Sequence, residues 1–159
     1  MDQLIVHEFP PIYQPNSRVL ILGSFPSVKS RQEHFYYGHP RNRFWPVLAQ
    51  LLDEPLPKSV SEKKKLLINH GIALYDACVK AKITGSMDKD LHVVELANLE
   101  PILQATQIQQ IFCNGQKAYD LTTKELNHSA IKLPSTSPAN ARYKLEDLIG
   151  PWQQILTYL

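Results

Sequence analysis

Arg18-Val-Leu-Ile-Leu-Gly23 is the stretch on which the fold turns. Four apolar residues in succession, closed by a glycine, mark a strand buried on both faces, as strands of a parallel sheet are. Three runs downstream repeat the pattern: Gly71 to Cys78 (GIALYDAC), Ile108 to Asn114 (IQQIFCN) and Ala130 to Leu133 (AIKL). Each is short and bounded by turn residues. The spaces between them fit helices. Arg43 to Leu52 is apolar on one side, and Ser59 to Asn69 opens with a Ser-x-x-Glu box (Ser59, Glu62) and stops at Gly71. A third helix begins near Asn98 with Pro101 in its first turn, and a fourth, Gly115 to Asn127, follows the third strand directly. The last covers about Arg142 to Leu159, with a kink or break expected at Gly150-Pro151. Strands alternating with helices imply an α/β fold on a parallel sheet with right-handed crossovers.

A length of 159 residues suits one domain, and 43% hydrophobic residues supplies one core with two faces. The net charge of +2 gives no bulk argument for a nucleic-acid partner, so any basic patch has to be local. No apolar run approaches a membrane span, and the N-terminal stretch lacks a basic leader, so the expectation is a soluble, intracellular, monomeric protein. Cys78 and Cys113 each lie within an apolar run and read as reduced core thiols. The histidines show no metal-ligand spacing with acids or cysteines, and neither a metal nor another cofactor is expected.

Two segments are long, irregular and rich in Gly, Pro, Ser and aromatics: Ser24 to Pro40 after the first strand and Pro134 to Asn140 after the fourth. Open parallel sheets place their ligands at such strand ends. The first runs into GSFPSVKSRQEHFYYGHPRNRFW (Gly23 to Trp45), which interleaves Lys29, Arg31, Arg41 and Arg43 with Phe35, Tyr36, Phe44 and Trp45. Cations neutralise phosphates and a ring stacks on an unstacked base; a solvated loop with core aromatics has the same composition.

Gly-x-x-Pro (Gly23, Ser24, Phe25, Pro26) followed by HPRNRFWPVL (His39 to Leu48) resembles motif one of the uracil-DNA glycosylase superfamily, and LPSTSPANAR (Leu133 to Arg142) resembles its motif two. The combination is most similar to the hypoxanthine-DNA glycosylase branch. The resemblance spans about Arg18 to Arg142. It implies a three-layer sandwich with a four-stranded parallel sheet, DNA carrying a deaminated base as the partner, and removal of hypoxanthine without a cofactor. Two positions depart from the family. Phe25 stands where many relatives carry the Asn or Asp that activates water, and Leu133 stands where they carry the His or Asn that stabilises the departing base. A uracil or mismatch glycosylase, or a non-catalytic module that binds damaged DNA, are the alternatives.

The resemblance carries the catalytic role to Asn42, whose amide can hold a water through its carbonyl. Asn is equally a good cap for the helix beginning at Arg43. Gly23, Ser24, Phe25, Pro26, Phe35, Tyr36 and Phe44 are the expected base pocket, although Phe44, Val47, Leu48 and Leu51 at helical spacing also read as a core face. Asp76 stands where relatives read the base edge with Asn; a carboxylate accepts the N1–H of hypoxanthine or merely ends a strand. Asn114, Gly115 and Lys117 open a helix toward the site. Pro134, Ser135, Thr136, Ser137, Pro138, Asn140 and Arg142 form the second loop, expected to contact DNA with Lys29, Arg31, Arg41 and Arg43. His39 is as readily a loop-packing residue as a proton carrier.

Overall fold

A computed structural model describes residues 3–84 and 91–159. Four strands form a wholly parallel sheet in the order β3-β2-β6-β7: β2 (Val19–Gly23), β3 (Ile72–Asp76), β6 (Gln110–Asn114) and β7 (Ile131–Leu133). The helices are α1 (Val28–Glu33), α2 (Phe44–Leu51), α3 (Val60–Asn69), α4 (Glu100–Ala105), α5 (Gln116–Asp120) and α6 (Leu145–Trp152). All five residues of β2 are buried, and alternation along the strand divides them between two cores. Val19 and Ile21 meet α2, α3 and α6 through Phe44, Trp45, Leu67, Leu148 and Trp152. Leu20 and Leu22 meet α4 and α5 through Ile102 and Ala118. This is the expected three-layer α/β sandwich.

The chain leaves β2 for β3 on one side and reaches β6 on the other, so the loops after β2 and β6 diverge. Such a switch point opens a crevice at the carboxyl ends of the strands.

A second sheet was not expected. β1 (Gln3–Val6), β4 (Cys78–Ile83) and β5 (Leu91–Leu96) pair antiparallel in the order β1-β4-β5. The run Gly71 to Cys78 is therefore not one strand. β3 ends at Asp76, opposite Gly23; the Ala77 and Cys78 N–H groups bond the Gly23 and Ser24 carbonyls, and the chain passes into β4.

Helix boundaries follow their caps. The Ser59 hydroxyl accepts from Glu62 N–H and opens α3, while Glu62 reaches back to Lys58 N–H. α2 starts at Phe44, one residue later than expected, because Asn42 Oδ1 accepts the Phe44 N–H at 2.9 Å. α1 lies inside the segment read as irregular, capped by Ser27. α5 passes into a π-helical turn at Leu121–Glu125 instead of continuing as α-helix to Asn127. α6 starts at Leu145 rather than Arg142 and runs unbroken through Gly150-Pro151, tightening to a 3-10 helix at Gln153–Tyr158. Among the described residues no helix is long and apolar enough to cross a membrane, and both cysteines are free and buried.

Candidate functional site

A cleft of about 630 Å³ opens at the carboxyl ends of β2, β3, β6 and β7, a size that takes a nucleoside-sized ligand. Its floor is Gly23 and Asp76, the paired last residues of β2 and β3. Ser24, Phe25, Pro26, Arg31 and Tyr36 line one wall with Asn42. Asn114, Gly115, Pro134, Ser135, Thr136, Ser137 and Asn140 line the other. The two loops singled out by composition thus face each other.

Asn42 joins them. Its Oδ1 accepts both the Phe44 N–H and the Thr136 hydroxyl, the latter at 2.8 Å. Thr136, fully buried, accepts at the same hydroxyl from Asn114 Nδ2 and gives its own N–H to Asn114 Oδ1. The residue that bonds the first N–H of α2 and the residue on the cleft wall are therefore the same, while the N-cap itself is Arg43. Both lone pairs of the Asn42 carbonyl are taken, which corrects the expectation that this oxygen would accept from a water. The group Asn42 leaves toward the cleft is Nδ2, which bonds no described residue and can only donate. Asn114 is committed to Thr136 in the same way, and the Gly115 N–H to the Cys113 and Leu133 carbonyls, so these two shape the wall.

Asp76 is 4% exposed. Its Oδ2 lies 2.8 Å from Nε2 of His7, whose side chain is wholly buried among Phe9, Tyr36 and Tyr75. A ring nitrogen facing a carboxylate donates, so His7 fixes that oxygen. Beside Asp76 sits Tyr37, on the cleft wall, its ring stacked on Phe44 at 4.1 Å. Burial first, and the Asp76 charge second, raise the Tyr37 phenol above its ordinary range, as they do that of Tyr36. Neither His7 nor Tyr37 was singled out from the sequence. His7 follows the end of β1 and precedes Asp76 by 69 residues, and no local pattern links the two.

Several expected contacts lie elsewhere. Phe35 and Phe44 are 4% and 0% exposed and belong to the core, so neither faces a base; Phe44 instead supports Tyr37. Tyr36 reaches the cleft but commits its hydroxyl to the Pro10 carbonyl. Phe25 lies half-buried on the wall, as expected of a pocket ring, and Tyr143, not singled out from the sequence, lines the cleft too. Arg43, outside the cleft lining, staples the second loop: its guanidinium donates to the carbonyls of Thr136, Ser137, Asn140 and Tyr143. Lys29 faces Glu33 at 3.7 Å, outside the cleft. Arg41, Lys117, Pro138 and Arg142 also fall outside its lining. Among the described residues the cations at the cleft are Arg31, held below the ordinary arginine range by burial, and Lys132, which no sequence motif marks. His39 packs the loop, its Nδ1 accepting from Arg41 N–H. No cluster of potential metal ligands occurs among the described residues.

Residues 10–156 match the family model of the uracil DNA glycosylase superfamily. A hypoxanthine DNA glycosylase of Methanosarcina acetivorans is 31% identical over 159 residues, covering 98% of this chain and all of the relative. One from Methanosarcina barkeri is 33% identical over 141 residues, 84% of this chain and 87% of the relative. A solution NMR structure of a candidate uracil DNA glycosylase from Methanosarcina acetivorans superposes with a TM-score of 0.76 at 27% identity, covering 93% and 96% of the two chains. With the strand order, the facing loops and the motif residues at one cleft, this chain belongs to the uracil DNA glycosylase superfamily.

Proposed function

We propose that this chain is a monofunctional DNA glycosylase that excises hypoxanthine from deoxyinosine, acting on DNA inside the cell. The observation that carries the reading is the cleft itself, with an acceptor carboxylate, Asp76, on its floor and an amide donor, Asn42 Nδ2, on its wall. The two relatives above are named for the same activity. The target nucleotide leaves the duplex and enters the cleft, because the glycosidic carbon is out of reach inside the stack. Phe25 stacks on the base, and Asp76 accepts its N1–H. Arg31, Lys132 and the hydroxyls of Ser135 and Ser137 meet the flanking phosphates.

Water adds to C1′ as the C1′–N9 bond breaks. The electron pair leaves on the base, and the water's proton ends on the released hypoxanthine. In a dissociative path bond breaking leads, so a donor placed at the departing base or at the water oxygen contributes more than a strong base does. Asn42 Nδ2 is that donor. The water-activating acid of other branches is absent at Phe25, yet this arrangement does not need it.

The direct test is incubation with matched oligonucleotides carrying deoxyinosine, uracil, xanthine or ethenocytosine, followed by alkali. Deoxyinosine is expected to give alkali-labile sites fastest. Faster release of uracil would make the chain a uracil glycosylase. Phe25 also suits a module that binds without turnover, and such a module would retard the oligonucleotide yet never create an abasic site.

A further inference from the structure

The Tyr37 hydroxyl is buried and makes no hydrogen bond with any described residue. A buried hydroxyl without a partner is costly and rare, and in a native site it asks for an explanation. The Asn114 amide beside it favours the phenolate, as an N–H turned to the oxygen does, and the phenolic hydrogen meets no acceptor at bonding distance among the described residues. Tyr37 also holds its backbone in the left-handed region, with φ 53°, where a bulky residue is a genuine outlier. That backbone lays the ring on Phe44 and turns the hydroxyl to the cleft floor.

There it meets Asp76. A Cβ built on Gly23 would overlap Asp76 Oδ1 and stand 2.9 Å from the Tyr37 oxygen, so both oxygens converge on the one spot a glycine leaves open. With Oδ2 fixed by His7, the other carboxylate oxygen is the one turned to this spot.

We infer that Tyr37 and Asp76 form a paired reader of a lactam edge, Asp76 accepting the ring N–H while the Tyr37 hydroxyl donates to the adjacent carbonyl oxygen, with His7 as the positioning residue. This rests on the glycosylase reading and specifies its selectivity. Hypoxanthine presents N1–H beside O6, the complement of an acceptor next to a donor. Adenine, its parent, presents an acceptor N1 beside an N–H donor, so a carboxylate faces a lone pair. Deamination reverses the polarity of the edge, and this pair is set to the reversed form.

The test measures affinity for duplexes carrying the uncleavable 2′-fluoroarabino analogues of inosine, of adenosine and of unsubstituted purine, which lacks both O6 and the N1–H. Wild type is expected to bind the inosine analogue at least about tenfold more tightly than the purine analogue. Tyr37→Phe is expected to cut that preference several-fold, leaving the share that Asp76 reads at N1–H, to lower single-turnover excision of deoxyinosine by about 10- to 100-fold, and to leave affinity for a tetrahydrofuran abasic duplex unchanged. Its melting temperature is expected to hold or rise, because the substitution removes an unsatisfied hydroxyl. His7→Phe is expected to weaken the same preference and His7→Gln, which restores a donor, to recover part of it. Full preference in Tyr37→Phe, or equal wild-type affinity for the inosine and purine analogues, would overturn the pairing. Absence of base release from every substrate would instead sink the glycosylase reading, while the binding arm still reports on the edge.

Discussion

Asn42 commits its oxygen inside the protein, to the Phe44 N–H and the Thr136 hydroxyl, and presents its nitrogen to the cleft. The two ends of the amide can therefore be tested separately. Asn42→Ala is expected to lower single-turnover excision by about two to three orders of magnitude and stability by about 1 kcal/mol. Asn42→Asp keeps an acceptor for both donors and puts a charged acceptor in place of the Nδ2 donor, so it is expected to melt near wild type yet release base as slowly as Asn42→Ala. Normal turnover by the Asp variant would remove the donor from the mechanism. Lysine enters differently. The lysine on the cleft wall, Lys132, donates to Gln116 Oε1 at 2.7 Å, and a monofunctional path needs no amine nucleophile. Borohydride is expected to trap no protein–DNA adduct; an adduct abolished by Lys132→Arg would make the enzyme a lyase. At this scale Gly23, Asn42 and Asp76 were legible in the sequence because each stands in a short motif, Gly23 and Asp76 at strand ends and Asn42 just before α2. His7 and Tyr37 were not, because what gives them meaning is a contact across the fold.

Among the elements, the second loop owes its shape to Arg43, the first residue before α2. Four carbonyls of residues 136 to 143 receive its guanidinium, and Trp152 of α6 adds a bond from Nε1 to the Pro134 carbonyl. Lysine offers one ammonium in place of a planar fork and cannot span this set. Arg43→Lys is expected to destabilise the protein by about 2 to 3 kcal/mol and to raise hydrogen exchange selectively in residues 135–143. Weakened DNA affinity with unchanged exchange would mean that Arg43 touches DNA after all. The strands of the parallel sheet were readable because burial on both faces leaves an uninterrupted apolar run. The β1-β4-β5 sheet was not read: lysines at 80 and 82 alternate with Val79, Ala81 and Ile83, the period of a strand buried on one face, but the stretch runs on from β3 without a Gly or Pro to break it, and Leu4-Ile5-Val6 in β1 is only three residues long. α1 was missed for a different reason. Six residues are too few to form a helix alone, and the Ser27 cap and the surrounding loop hold it in place.

Over the whole molecule, burial pushes the Cys78 and Cys113 thiols up to about 11. Each thiol keeps its proton in the native state at pH values where the unfolded chain, titrating near 9, has lost it. The unfolded state then binds fewer protons, so stability falls as pH rises past about 9, by up to about 1.4 kcal/mol per pH unit for each group. Urea midpoints measured at pH 8 and pH 10 check this, and thiol labelling at pH 8 is expected to proceed only at the rate of opening. Equal midpoints would show that the thiols ionise freely in the native state. The sheet order and the facing loops were within reach of the sequence; the depth at which the thiols and His7 lie was not, since burial is a property of the assembled layers. The reach of Arg43 has a consequence in time. Its carbonyl partners arrive about a hundred positions later in the chain, so while the protein is being synthesised the first loop exists long before the latch that closes its opposite wall. A nascent chain ending at residue 133 would lack all of these carbonyls and also Leu148 and Trp152 of the core, so the two walls of the cleft can close on each other only after the last helix has emerged.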